Sequence, residues 1–236
     1  MSAEVHPEES TLAEVSARMN WLRAGVLGAN DGIVSTAGLV VGVAGATTDT
    51  TALLVAGVAG LVAGALSMAG GEYVSVSTQR DTERALLAKE ARELEETPEE
   101  ELAELAGFYR AKGLSEETAQ QVAEELTEHD ALRAHAEIEL GLDGDTLINP
   151  WHAAWASLIS FTLGALLPLL AIVLPPTGAR LPVTVAAVLA ALTVTGFVSA
   201  RLGGAPPAPA VARNTGVGLL AMALTFAVGT LVGGAV

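Results

Sequence analysis

Ala24-Gly25-Val26-Leu27-Gly28-Ala29-Asn30-Asp31-Gly32-Ile33-Val34-Ser35-Thr36 opens an apolar run that continues to Ala46, and its reading decides the fold. Between Arg23 and Asp49 the only formal charge is Asp31. About 20 helical residues at roughly 1.5 Å each cross a bilayer core of roughly 30 Å, so residues 24–46 are long enough to span. A carboxylate near the middle of such a helix costs about 2.5–3.5 kcal/mol on insertion scales and therefore has a partner or a task. A divalent cation would supply the partner.

Four more stretches have the same character, at 52–78, 151–174, 181–202 and 211–235. Thr47-Thr48-Asp49-Thr50, a long acidic block, Pro175-Pro176-Thr177-Gly178 and Pro206-Pro207-Ala208-Pro209 separate them. Pro168 falls inside the third span and predicts a kink there. Spans three to five carry almost no ionisable groups, which points to scaffold and lipid contact. The sequence therefore predicts an all-α membrane protein: a polar tail over 1–19, spans one and two over 20–80, an acidic lobe over 81–145 and spans three to five over 146–236.

The charge is segregated. The 236 residues are 51% hydrophobic, yet the formal net charge is −15. Twenty of the 27 acidic residues lie between Asp81 and Asp145, opposed by six basic ones. Such a block argues for cations and against nucleic acid. Cysteine is absent, so disulfides and thiolate ligands are excluded. The first 20 residues have no apolar core that would make a cleaved signal. Eleven of the twelve Lys and Arg fall on one side of the spans and Arg180 alone on the other. That puts the N-terminus and the lobe in the cytoplasm.

The lobe reads as three helices. Span two meets no breaker after Gly71, so its helix should run on to about Leu94. Thr97-Pro98-Glu99-Glu100 predicts a second helix with Thr97 as N-cap and Glu100 closing a capping box, ending at Gly113. Ser115 caps a third, which Gly141 stops.

Two groups of residues could carry chemistry. In the membrane, Asp31 on span one accompanies Met68 and Glu72, four residues apart on one face of span two. Carboxylate with thioether suits softer first-row metals better than magnesium or calcium. Glycines 25, 28, 32, 38 and 42 on span one and 60 and 64 on span two allow close helix contact. In the lobe, Glu90 and Glu93 are an i, i+3 pair that Glu101 and Glu104 repeat on the next helix, and His135 and Glu139 stand at i, i+4. Carboxylates gathered this way repel one another unless cations sit among them. The plain alternatives are a helix break capped by Asp31, Met68 as core filler, Glu72 at the headgroups and a solvated acidic face in the lobe.

Other metal and nucleotide motifs fail. Leu126 and Leu132 stand where a di-iron site would need Glu before His129 and His135, which also leaves an iron-oxidising enzyme without its ligands. An EF-hand from Asp143 would end on Ala154. No phosphate-binding glycine loop is present.

Leu27-Gly28-Ala29-Asn30-Asp31-Gly32-Ile33-Val34-Ser35-Thr36 resembles the first-span signature of the vacuolar iron transporter family. Ser67-Met68-Ala69-Gly70-Gly71-Glu72-Tyr73-Val74-Ser75 resembles the second-span signature, and Glu139-Leu140-Gly141-Leu142 the close of the cytoplasmic lobe. The likeness runs from about Asn20 to the C-terminus and reads as a bacterial-type member, in a bacterial plasma membrane or an organelle membrane. It implies a homodimer with its ion path between both copies of spans one and two. It also implies proton-coupled export of Fe²⁺, and often Mn²⁺, from the cytosol, with no prosthetic group. Co²⁺ and Zn²⁺ are further candidate ions. Asp31 and Met68 match the family's membrane ligands; Glu90, Glu93, Glu101, Glu104 and Glu139 match its lobe glutamates. His135 stands where members carry Met, and Asn20 and Ala24 replace acidic residues at the cytoplasmic mouth. A membrane-anchored metal buffer or sensor is the competing function.

Overall fold

The computed structural model describes residues 12–142 and 149–235, with side chains from Gly25 onward. The tail expected over 1–19 lies largely outside the described residues, as does the end of the lobe at 143–145. Among the described residues seven α-helices follow in order: α1 (Leu12–Ala46), α2 (Thr50–Glu96), α3 (Pro98–Ala111), α4 (Glu116–Ile138), α5 (Pro150–Val173), α6 (Arg180–Leu202) and α7 (Pro207–Gly233), with one 3₁₀ turn at Thr177–Ala179. Among the described residues there is no strand. Five helices, α1, α2, α5, α6 and α7, are long and apolar enough to cross a membrane. α5 continues through Pro168. The last span begins at Pro207, four residues before the expected start, because Pro at the first helical position has no amide to leave unpaired.

The chain divides into two compact units. One comprises Arg18–Val74 with Pro150–Val236 and the other includes Ser75–Asn149. In the first, α1 is the central element. Its Ile33, Ala37 and Val41 meet Val188 and Leu192 of α6 and Met222 of α7. Val40 joins Leu53 of α2 and Ile172 of α5 in a second cluster. Backbones approach so closely that two glycines are required: a Cβ on Gly164 of α5 would strike the Ala29 carbonyl, and one on Gly229 of α7 the Gly42 carbonyl. The glycines of α1 thus do permit close contact, with α5 and α7.

The turn between α1 and α2 is held by polar bonds. Asp49 caps α2, its carboxylate accepting from the amides of Thr51 (3.1 Å) and Ala52 (3.2 Å). Arg180 is buried. It donates to the Thr48 carbonyl (2.9 Å), to Thr50 Oγ1 (2.6 Å) and to the Pro175 carbonyl (3.4 Å). It clasps the α1–α2 turn to the start of α6.

In the lobe unit, Leu105 and Ala106 of α3 pack on Ala123 and Ala134 of α4, with Leu102, Tyr109, Leu126 and Ile138 around them. α2 does run beyond its apolar part to Glu96, as its lack of breakers implies. Two details differ from expectation. The capping box at Thr97 does not form: its side chain makes no cap, and its hydroxyl donates back to the Glu93 carbonyl (3.1 Å). One residue separates the helices, so Thr97 still belongs to the turn it leaves. The third helix is also broken at Asp130, which has extended backbone (φ −164°, ψ 91°). Asp130 Oδ1 accepts from the Arg133 amide (3.0 Å) and so caps a new segment. Ser115 caps the first segment as expected, accepting from the Thr118 amide (3.3 Å).

Candidate metal sites in the lobe and the membrane unit

The segment that Asp130 restarts carries His135 and Glu139, one turn apart. His135 is fully buried, and Glu90 of α2 and Glu101 of α3 are nearly so, at 3% and 7% exposure. His135 Nδ1 lies 2.8 Å from Glu90 Oε1, 3.5 Å from Glu139 Oε2 and 3.7 Å from Glu101 Oε2. Despite the 2.8 Å approach, neither His135 Nδ1 nor Glu90 Oε1 has a hydrogen-bond partner, and neither does His135 Nε2. Buried polar atoms left so are rare, since each lost bond costs about 1–3 kcal/mol. A buried imidazole nitrogen facing three carboxylate oxygens is a donor set that suits a divalent cation. Glu90, His135 and Glu139 can bring one ligand atom each within 4.8 Å of one another.

Glu93 and Glu104 stand at the edge of this group. Glu93 is paired with Lys89, and Glu104 is exposed. Their charges nonetheless reach the centre. Burial, above all, lifts the Glu90 carboxyl above its ordinary 4.5, with repulsion from Glu139, Glu101 and Glu93 adding to it. Burial likewise lifts Glu101, followed by repulsion from Glu104, Glu93 and Glu139. All six lobe residues singled out by spacing are thus brought together, four at the centre and two within electrostatic reach.

In the membrane unit, Asp31 and Met68 line one cleft of roughly 210 Å³ with Ser35, Thr36, Leu39, Gly60, Gly64, Ser67 and Phe161. Asp31 and Ser35 occupy successive turns of α1, and Ser35 Oγ donates to the Asp31 carbonyl. Met68 packs on the cluster of Ala65, Phe161 and Ala165. Glu72, half-buried one turn farther along α2, does not line this cleft. Span three contributes Phe161, whose ring fills the space over Gly64 and forms a wall of the cleft. Apolar composition gave no sign of that. Ser35 could have been found, since it stands four residues from Asp31.

A model of the VIT family matches residues 22–230. A protein named vacuolar iron transporter from Acanthamoeba castellanii is 44% identical over 218 residues, covering 89% of this chain and 78% of the relative. Vacuolar iron transporter homolog 2 of Arabidopsis thaliana is 37% identical over 227 residues, covering 96% and 91%. VIT-like transporter 1b of Glycine max is also 37% identical, covering 96% and 82%. None of the three organisms is a bacterium, so the expectation of a bacterial-type member is not borne out.

Proposed function

The chain belongs to the VIT family, an integral membrane transporter family, and from that membership we propose that it is an antiporter exporting cytosolic Fe²⁺ in exchange for protons. Mn²⁺ is a second substrate, and Co²⁺ and Zn²⁺ fit the same donors. The lobe, with Glu90, Glu93, Glu101, Glu104, His135 and Glu139, captures the ion. Asp31 and Met68 receive it in the membrane, with Glu72 one turn away. The N-terminus and lobe face the cytosol, and two copies assemble about the path.

One observation carries the reading: a carboxylate and a thioether line the same cleft between helices that cross the membrane. The carboxylate supplies charge, and the soft sulfur favours Fe²⁺ over magnesium and calcium. Proton exchange follows from the same group. A carboxylate in an apolar surround holds either a cation or a proton, so protons from the far side displace the metal.

Purified protein in liposomes tests this. Metal uptake should depend on an imposed pH gradient, and Asp31→Ala should abolish it while the protein stays folded by size exclusion. Wild-type flux in that variant would refute the assignment. A buffer that does not transport would instead need the lobe glutamates and tolerate loss of Asp31.

A further inference from the structure

The acidic lobe offers a metal ion a single buried donor atom that is not an oxygen. Between Asp81 and Asp145 there is no methionine and no cysteine, and the imidazoles are those of His129 and His135. His129 is exposed and precedes the break at Asp130. His135 follows the break, beside Ala134, which packs with Leu105 and Ala106 of α3, and it is fully buried. Oxygens from three parts of the chain surround its Nδ1: Glu90 of α2 at 2.8 Å, Glu139 at the end of α4 at 3.5 Å and Glu101 of α3 at 3.7 Å.

Such separations suit ligands that share one small ion. An ion bonded to nitrogen and oxygen at about 2.1 Å holds them about 3.0 Å apart in an octahedron and about 3.4 Å apart in a tetrahedron. The three separations straddle that range, so small side-chain shifts close the shell. Without the nitrogen, what remains is a cage of carboxylate oxygens, the ligands that calcium and magnesium use. Nothing in such a cage favours Fe²⁺. Imidazole changes the ranking, because nitrogen adds least for manganese, more for iron, cobalt and zinc, and little for the hard ions.

We propose that His135 is the specificity-determining ligand of the lobe: its Nδ1, rather than the carboxylates around it, makes the lobe prefer Fe²⁺, Co²⁺ and Zn²⁺ to calcium and magnesium. The proposal rests on the capture reading above and deepens it by giving attraction and choice to different atoms. The carboxylates supply attraction, which every divalent cation shares. The nitrogen supplies the difference in affinity on which discrimination depends. Mn²⁺ gains least from that nitrogen and is the first-row ion the lobe favours least. An imidazolium that only tied α2, α3 and α4 together would use the same contacts, but it would not rank metals.

His135→Asn sets a carbonyl oxygen, Oδ1, close to where Nδ1 stands, and so tests the atom rather than the side chain. Titration calorimetry on the full chain in detergent, with Asp31→Ala to silence the cleft, compares Zn²⁺, Co²⁺, Mn²⁺ and Ca²⁺. His135→Asn should lower Zn²⁺ and Co²⁺ affinity by about 100-fold, Mn²⁺ affinity by at most about tenfold and Ca²⁺ affinity by less than about threefold. Glu101→Gln should weaken all four together, since it removes charge and keeps the nitrogen. Each variant is judged on the ratio of its affinities, which a smaller folded fraction does not change. A second measurement needs no change at His135: Mn²⁺ bound to the Asp31→Ala protein should show, by pulsed electron paramagnetic resonance, coupling to a directly coordinated imidazole nitrogen. Equal losses for all four ions in His135→Asn, or Mn²⁺ bound without that coupling, overturns the proposal and leaves capture by the carboxylates standing. If the Asp31→Ala protein binds none of the four ions, the capture reading itself falls.

Discussion

Replacing Glu90 by Gln should make the metal-free protein more stable and the metal-loaded protein less responsive. The Glu90 carboxylate is nearly fully buried and shares a region 4.8 Å across with that of Glu139. Two unit charges at that separation repel by about 3 kcal/mol at an effective dielectric of about 20. The Glu139 side chain is 26% exposed, and water screens part of the repulsion. The net relief is about 1–3 kcal/mol once that screening is counted. For a chain of this length, roughly 2–4 °C per kcal/mol converts the relief to a rise of about 2–12 °C in Tm. Metal binding works in the opposite sense. A hundredfold excess over Kd stabilises the wild type by about 2.7 kcal/mol, and removing a charged ligand should cut that gain by more than half. Differential scanning fluorimetry in detergent, with chelator and then with Zn²⁺ as an air-stable probe, reads both quantities. A lower melting point for the metal-free variant with an unchanged metal shift would refute the reasoning. Glu90 would then be part of a structural network, and its unpartnered oxygen would need another explanation.

Two further outcomes follow from the lobe. Asp130→Ala removes the cap that restarts α4 and should weaken metal binding by about tenfold, the equivalent of roughly 1.4 kcal/mol, although Asp130 touches no metal. Asp130→Asn should restore it, since Asn caps equally well; equal Kd values for all three proteins in titration calorimetry would rule out a positioning role. The metal-free lobe should also lose stability as pH rises. Glu90 and Glu101 have folded pKa values above the usual 4.5. The folded state therefore binds more protons than the unfolded one between 4.5 and those raised values, and the slope of stability with pH is negative there. Denaturation in chelator between pH 4.5 and 8 that showed stability climbing with pH would contradict this.

The large features could be read directly from sequence because they depend on sums over many residues. Five runs of some 20 apolar residues, and breaks such as Pro206-Pro207-Ala208-Pro209, leave few alternatives in a bilayer. The pairs Glu90/Glu93, Glu101/Glu104 and His135/Glu139 were visible because helical spacing alone puts each on one face. Features that depend on a single local competition were not visible. The Thr97 box had all its residues, but a one-residue junction let the hydroxyl return to Glu93. The break at Asp130 had an available signal, an Asp three residues before Arg133, yet no Gly or Pro marked it. Phe161 was hidden for a different reason. Its place in the wall of the cleft comes from the notch of Gly64 that it fills, and that is decided by how α2 and α5 meet.

The two proposed ligand sets differ in a way that constrains how metal would pass from one to the other. Three carboxylates and an imidazole converge in the lobe, whereas the cleft offers one carboxylate and one thioether. Divalent affinity rises with the number of charged oxygens, so the lobe should hold metal more tightly than the cleft. Transfer toward Asp31 then runs uphill unless the lobe is weakened, and a tight lobe limits turnover. Glu90→Gln should accordingly raise the half-saturating metal concentration for uptake. It should also raise the maximal rate, because release from the lobe becomes faster. Initial rates of gradient-driven uptake across a range of metal concentrations separate these effects. If the variant is slower at every concentration, saturation included, the lobe assists the transfer step itself, and the argument from relative affinity fails.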